Sequence, residues 1–280
     1  MSDSKVEWVL SERQLEFFDN RSFNLVLYGA AGSGKTIFAC HKLLRYVLEH
    51  QGCRCCVLSD TRKHLEETVL VDLEDLMRKY GISYQYDSKT NIMYFPRKPK
   101  YNEEDVLNPS RVFIKGLKDM SEVRSMSLDM IYVEQAERLK HDDYVELEAR
   151  IRNRFAKEDY GQILYVVTPE HRSGWVYQRF HKNYDPEDDC LVHFNYKDNP
   201  FTTEAFKRRQ AKLKETNPER YLTHTLGMWM DNEGLVYNNY SIGESSRGYE
   251  FFTIGGDWGW SAPSVLLLIG WFDGNPYVFI

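Results

Sequence analysis

Residues 25 to 40, LVLYGAAGSGKTIFAC, set a glycine-rich loop between an apolar strand and a run with helical periodicity. Gly29 to Thr36 has the spacing of a phosphate cradle: a glycine, four residues, then Gly34, Lys35 and Thr36. Across Gly29, Ala30, Ala31, Gly32, Ser33 and Gly34, successive backbone N–H groups can converge on phosphate oxygens. A helix opening near Lys35 adds the positive end of its dipole. Lys35 neutralises β and γ phosphates in such a loop, and the Thr36 hydroxyl holds Mg²⁺. A turn that merely packs a strand on a helix needs no lysine followed by threonine, so the expected ligand is a nucleoside triphosphate such as ATP.

A second constellation lies in MIYVEQAERL, residues 130 to 139. The apolar strand should end near the phosphates, because ligands of such sheets sit at the carboxyl ends of strands. That makes Glu134 a candidate for the Mg²⁺ water shell. Gln135 follows where a second acid is expected to polarise the attacking water; an amide takes no proton but can orient a water. Glu137 lies farther along the turn and reads as a solvated carboxylate. Gln14, just upstream of the loop strand, could pair with an adenine edge or be an ordinary exposed helix residue. Thr168 ends the apolar run ILYVV, where a hydroxyl can sense a γ phosphate. Arg124, ten residues before Glu134, reads on its own as a surface arginine.

The elements that must position these groups alternate along the chain. SERQLEFFDN reads as a helix, 25 to 28 as a strand, 35 to 48 as a helix, CCVLSD as a strand, and 62 to 81 as one helix stopped by Gly81. Residues 82 to 117 read as an antiparallel strand set appended to the sheet. Strands return at MIYVE and QILYVVTPE, with the helix 141 to 155 between them. The fold class is α/β, a doubly wound and mainly parallel sheet spanning at least 20 to 170. Residues 201 to 222 read as helix interrupted near Pro218. A turn-rich link follows, and 249 to 280 offers two or three strands with a turn at FDGN. Of 280 residues, 42% are hydrophobic, enough for one substantial core and the start of another. No apolar run reaches the length of a membrane span, and the N-terminus carries no signal pattern, so a cytoplasmic setting without membrane is expected. Cys53, Cys55 and Cys56 lack a second ligand pair at zinc-site distance and read as buried strand residues. The net charge of −6 leaves room only for local basic tracks, such as residues 95 to 100 and 206 to 214.

In order, GAAGSGKT, EVRSMSLDMIYVEQAERL, VVTPE, YKDNPF, ERYLTHTLGMWMDNEGLVY and GGDWGWSAPSVLLL resemble the large terminase subunit of tailed bacteriophages over nearly the whole chain. The resemblance implies an ATP-driven motor that moves viral double-stranded DNA into a procapsid, fused to an RNase H-like nuclease using Mg²⁺ or Mn²⁺. It implies a P-loop ATPase domain over 1–230, a linker over 231–248 and the beginning of the nuclease domain over 249–280. It also implies a homo-oligomeric ring on the procapsid, portal and small terminase subunit as partners, and the host cell cytoplasm as location. Carried onto this chain, the adenine-side residue is Gln14, the acid closing the strand is Glu134, the coupling residue is Thr168, the trans-acting finger is Arg124, and the first nuclease metal ligand is Asp257.

Departures from the pattern shape what to expect. Gln135 stands in place of the catalytic glutamate, the loop lacks the arginine many relatives carry, and Ile280 comes only 23 residues after Asp257, too soon for the carboxylates of a two-metal nuclease. Alternative readings are a helicase-like or other DNA-dependent P-loop ATPase, and a nucleotide-binding assembly module without turnover.

Overall fold

The computed structural model describes residues 6–96, 109–152, 160–230, 248–257, 265–273 and 275–279. The chain forms two compact units, Met1–Glu233 and Gly234–Ile280.

The first unit opens with α1 (Glu12–Phe18), whose N-cap Ser11 and third residue Gln14 form a reciprocal capping box. Then come β1 (Asn24–Gly29), α2 (Lys35–Glu49), β2 (Arg54–Ser59), α3 (Arg62–Glu67), α4 (Val69–Tyr80), β3 (Gln85–Asp87), β4 (Ile92–Phe95) and β5 (Ser110–Gly116). The second half adds α5 (Met120–Val123), β6 (Met130–Val133), α6 (His141–Glu148), β7 (Gln162–Val167), β8 (Asp189–Phe194), α7 (Glu204–Thr216) and α8 (Pro218–Arg220). The strands lie in the order β3-β4-β5-β2-β6-β7-β1-β8. All pairs from β5 to β8 are parallel, while β4 is antiparallel to both β3 and β5.

The central strands are buried on both faces, and their alternate residues feed two cores. Leu25, Leu27, Cys55, Val57, Tyr132 and Leu164 pack under α2 and α4. Val26, Cys56, Leu58, Ile131, Val133 and Tyr165 face the other way, toward Tyr144 and Leu147 of α6 and Phe180. The loops at the carboxyl edge are thereby held on a rigid layer.

Several expectations change. The helix read over 62–81 breaks at Thr68, whose backbone leaves the helical region (φ −128, ψ −82). The Thr68 hydroxyl donates back to the His64 carbonyl at 2.6 Å, a local bond that competes with the helical ladder. The antiparallel addition is confined to β3 and β4, because β5 joins β2 in parallel. The helix read over 141–155 ends at Glu148, and Ile151 bridges to Leu128 instead. Strand β8 was not anticipated; it borders β1 and therefore the cradle. The basic run at 95–100 from residue 97 onward, residues 153–155 and most of the link at 231–248 lie outside the described residues.

The second unit is a three-stranded antiparallel sheet, order β11-β10-β9, of β9 (Phe251–Asp257), β10 (Val265–Phe272) and β11 (Asn275–Phe279). Asp273 takes a left-handed φ of 49° at the turn anticipated at FDGN, a conformation its short polar side chain tolerates. Among the described residues, no helix is long and apolar enough to cross a membrane.

Candidate nucleotide site

β1 delivers its last residue, Gly29, at the carboxyl edge between β7 and β8. Gly29 has φ 146°, and a Cβ there would stand 2.0 Å from the Phe194 carbonyl oxygen, so no other residue fits. The loop is stitched from behind by distant segments. Ala30 N–H donates to the Phe194 carbonyl and Ala31 N–H to the His224 carbonyl, each at 3.1 Å. Gly227, in a left-handed conformation, lies so close that a Cβ would meet Ala30 N and Gly29 Cα at 2.3 Å. Asn199 Nδ2 donates to the Gly32 carbonyl at 2.9 Å, and Ser33 Oγ to the Ala30 carbonyl at 2.7 Å. Among the described residues, nothing in the protein accepts from the N–H groups of Gly32, Ser33, Gly34, Lys35 or Thr36. Gly34 is the N-cap of α2 and Lys35 and Thr36 are its first two residues, whose N–H groups lack intrahelical partners by geometry.

Lys35 is buried, and its ammonium donates to the Gly29 and Ala30 carbonyls at 2.8 and 2.7 Å. Burial lowers its pKa to about 8 against the opposing pull of Glu134 and Glu137. Gln14 is buried as well: its carbonyl accepts Ser11 N–H, and its NH₂ donates to the Gly34 carbonyl at 3.1 Å. It therefore ties α1 to the N-cap of α2, an attachment that excludes the exposed-helix reading.

The acids come from β6. Thr36 Oγ1 lies 3.3 and 3.4 Å from the two carboxylate oxygens of Glu134, and the Tyr132 hydroxyl donates to the same carboxylate. Burial pushes Glu134 up to about 7, opposed by Tyr132, Lys35 and Thr36. A threonine hydroxyl touching a carboxylate is a hard-oxygen donor set that suits Mg²⁺. Gln135 follows in the left-handed region (φ 53, ψ 53), and no hydrogen bond of its side chain is found among the described residues. Glu137 is not a solvated carboxylate. It is half-buried, and its Oε2 accepts the Thr168 N–H at 3.2 Å. Burial, together with Glu170 and Glu134, pushes it up to about 7.

Glu134, Glu137, Thr36, Lys35 and Thr168 are thus brought together. Arg124 is not. It lies at the C-terminal end of α5, its side chain about half exposed, 3.8 Å from Asp143. Asp257 ends β9 opposite Val265, and its side chain lies outside the described residues. Tyr132 escaped the sequence reading although its signal was present: two residues before Glu134 on a strand, it shares that residue's face. The Phe194, His224 and Gly227 contacts left no such local signal.

A family model for the phage terminase large subunit matches residues 21–228. The chain belongs to that family. Membership makes the terminase chain an ATPase of DNA packaging. Its fold is similar to that of a large terminase from a thermophilic bacteriophage, with TM-score 0.67 and 15% identity over 97% of this chain and 69% of that one. Other forms of that phage protein hold ADP and ATP-gamma-S. The ATPase domain of the Thermus phage P74-26 large terminase matches at TM-score 0.62 and 14% identity, over 80% of this chain and 96% of that one. The HK97 bacteriophage large terminase matches at 0.60 and 14%, over all of this chain and 64% of that one. No curated protein matches the terminase chain.

Proposed function

We propose that this chain hydrolyses Mg²⁺-bound ATP to drive viral double-stranded DNA into a procapsid. The observation that carries the reading is the contact of Thr36 with the Glu134 carboxylate beside a cradle of outward N–H groups in a terminase-family chain. The N–H groups from Gly32 to Thr36 bind phosphate oxygens, and Lys35 exchanges its loop carbonyls for the β and γ phosphates. Thr36 and Glu134 would hold Mg²⁺, which neutralises charge on the phosphates when bound. Tyr132 fixes the rotamer of Glu134, and Gln135 orients water. Gln14 keeps Gly34 in place and has remaining amide capacity for an adenine edge. Thr168 reports the state of the γ phosphate through β7.

The proposal extends to partners. The exposed α7 carries Lys207, Arg208, Arg209, Lys212 and Lys214 against Glu204 and Glu215, a locally basic helix in a chain of net charge −6. We assign that helix to DNA phosphates. Arg124, exposed and weakly paired, serves a neighbouring subunit of a ring on the procapsid, alongside the portal and the small terminase subunit in the host cytoplasm. Asp257 would ligate Mg²⁺ or Mn²⁺ in an RNase H-like nuclease domain to which the second unit belongs. Phosphate release, measured with and without DNA and procapsids, tests the reading. ATP binding without release under every condition would return the chain to an assembly module.

A further inference from the structure

We propose that Glu137 is the catalytic base, taking the proton from the water that attacks the γ phosphate, a role the amide of Gln135 cannot fill. The inference rests on the ATPase reading and adds a residue to it.

The geometry follows from how β6 ends. After Val133 and Glu134 the chain enters a left-handed conformation at Gln135, then a single 3₁₀ turn over Ala136–Arg138. Arg138 N–H donates to Gln135 O and Leu139 N–H to Ala136 O, at 3.0 Å each, and Ala136 is fully buried. The turn is therefore locked, and it swings the side chain of Glu137 back along the sheet edge to the end of β7. There its carboxylate accepts the Thr168 N–H. β7 is the direct neighbour of β1, so this carboxylate stands beside the strand that feeds the cradle. β7 lies between β6 and β1, so the carboxylate held at its end sits on the same sheet edge as Glu134 and the cradle loop. Glu134 is already committed to Thr36 and Tyr132. Glu137, the next acid along the same turn, is hydrogen-bonded to neither among the described residues.

In the step itself, the water oxygen forms a bond to γ phosphorus while the bond from γ phosphorus to the β–γ bridging oxygen breaks. That electron pair leaves on ADP. The water proton passes to the Glu137 carboxylate and then to solvent, which regenerates the base. The Thr168 N–H holds one carboxylate oxygen and so makes Thr168 a positioning residue. The groups facing Glu137 are Glu170 and Glu134, which raise its pKa, and the N–H groups of Thr168 and of Glu137 itself, which lower it. With burial as the largest cause, the resulting value of about 7 suits proton transfer near neutral pH.

The test compares the wild-type chain with Glu137→Gln, Gln135→Glu and the double variant, by phosphate release and by binding of a fluorescent ATP analogue. Glu137→Gln keeps an acceptor for the Thr168 N–H, so analogue binding should persist while kcat falls by about 10²- to 10⁴-fold. The double variant should recover part of the loss, because it restores a carboxylate to the same turn. If Glu137→Gln misfolds by circular dichroism, Glu137→Asp replaces it. It keeps the charge and shortens the reach, and it should lower kcat without raising KM. Undiminished turnover in a folded Glu137→Gln variant would overturn this assignment and leave the ATPase reading standing. A wild-type chain that binds the analogue and releases no phosphate under any condition would remove both.

Discussion

The cradle loop and the turn after β6 meet at one site and are built on opposite plans. The loop presents backbone N–H groups, and its shape is imposed from outside by Phe194, His224 and Gly227. The turn presents side-chain carboxylates, and its shape is set within a few residues by the left-handed Gln135 and the bonds of one 3₁₀ turn. The difference teaches where each half is vulnerable. A loop of backbone donors fails when a Cβ intrudes or its lysine is lost, whereas a turn of carboxylates fails when one φ angle or one proton changes.

Removing the lysine should do most to the loop half. Lys35→Ala is expected to abolish turnover and weaken ATP binding by about 10- to 100-fold or more, since charge-assisted hydrogen bonds contribute about 1.5–3 kcal/mol. Titration calorimetry that finds unchanged affinity would break the assignment. Next comes Gly227→Ala, which adds a Cβ 2.3 Å from the loop backbone at a left-handed φ. Combined strain and overpacking should cost about 2–4 kcal/mol, read from the denaturant midpoint, and ATP binding should weaken with it. A neutral Gly227→Ala would mean that the loop is not shaped from behind.

On the turn half, Gln135→Val puts a β-branched residue in a left-handed conformation. It should cost about 1–2 kcal/mol and lower kcat by displacing Glu137, whereas Gln135→Asn should spare stability, because asparagine tolerates the left-handed conformation. The comparison also has a pH signature. Glu134 and Glu137 have native pKa values of about 7 against an ordinary 4.5, so in that window the folded chain binds more protons than the unfolded one. Stability of the nucleotide-free protein should therefore fall as pH rises from 4.5 to 7. Lys35, lowered from 10.5 to about 8, acts oppositely, contributing stability that rises between those values. Melting curves across pH should show the first slope reduced in Glu137→Gln and the second reduced in Lys35→Met, where buried Lys42, lowered to about 7, still contributes. Smallest is Arg124→Ala. An exposed pair at 3.8 Å contributes under about 0.5 kcal/mol, so stability and monomer ATP binding should not move. The concentration-dependent part of hydrolysis should disappear, and mixing with Lys35→Ala protein should restore some of it.

The two halves were unequally legible. Gly29 to Thr36 reads directly because contiguous backbone groups do the work, so spacing in the chain is spacing in space. Glu134 reads because a strand end fixes its position. Glu137 does not, since its direction depends on the sign of φ at Gln135, which no composition or periodicity reveals. Helix 62–81 was read through Thr68 because threonine fits a helix by pattern, and only its bond to His64 shows the break. Strand β8 was missed because DCLVHF mixes polar and apolar positions; its burial comes from bordering β1 at the sheet edge.

The stitching of Ala31 to His224, and of Gly29 against Gly227, carries a consequence for biosynthesis. The phosphate-binding sequence leaves the ribosome first, and the contacts that shape it come from residues made nearly two hundred positions later. Closing so long a loop is entropically expensive and slow. A nascent chain arrested before residue 194 would contain the whole motif and still lack the Phe194, His224 and Gly227 supports. Nucleotide affinity should then emerge late in translation, in one step, as the segment around 221–228 clears the exit tunnel.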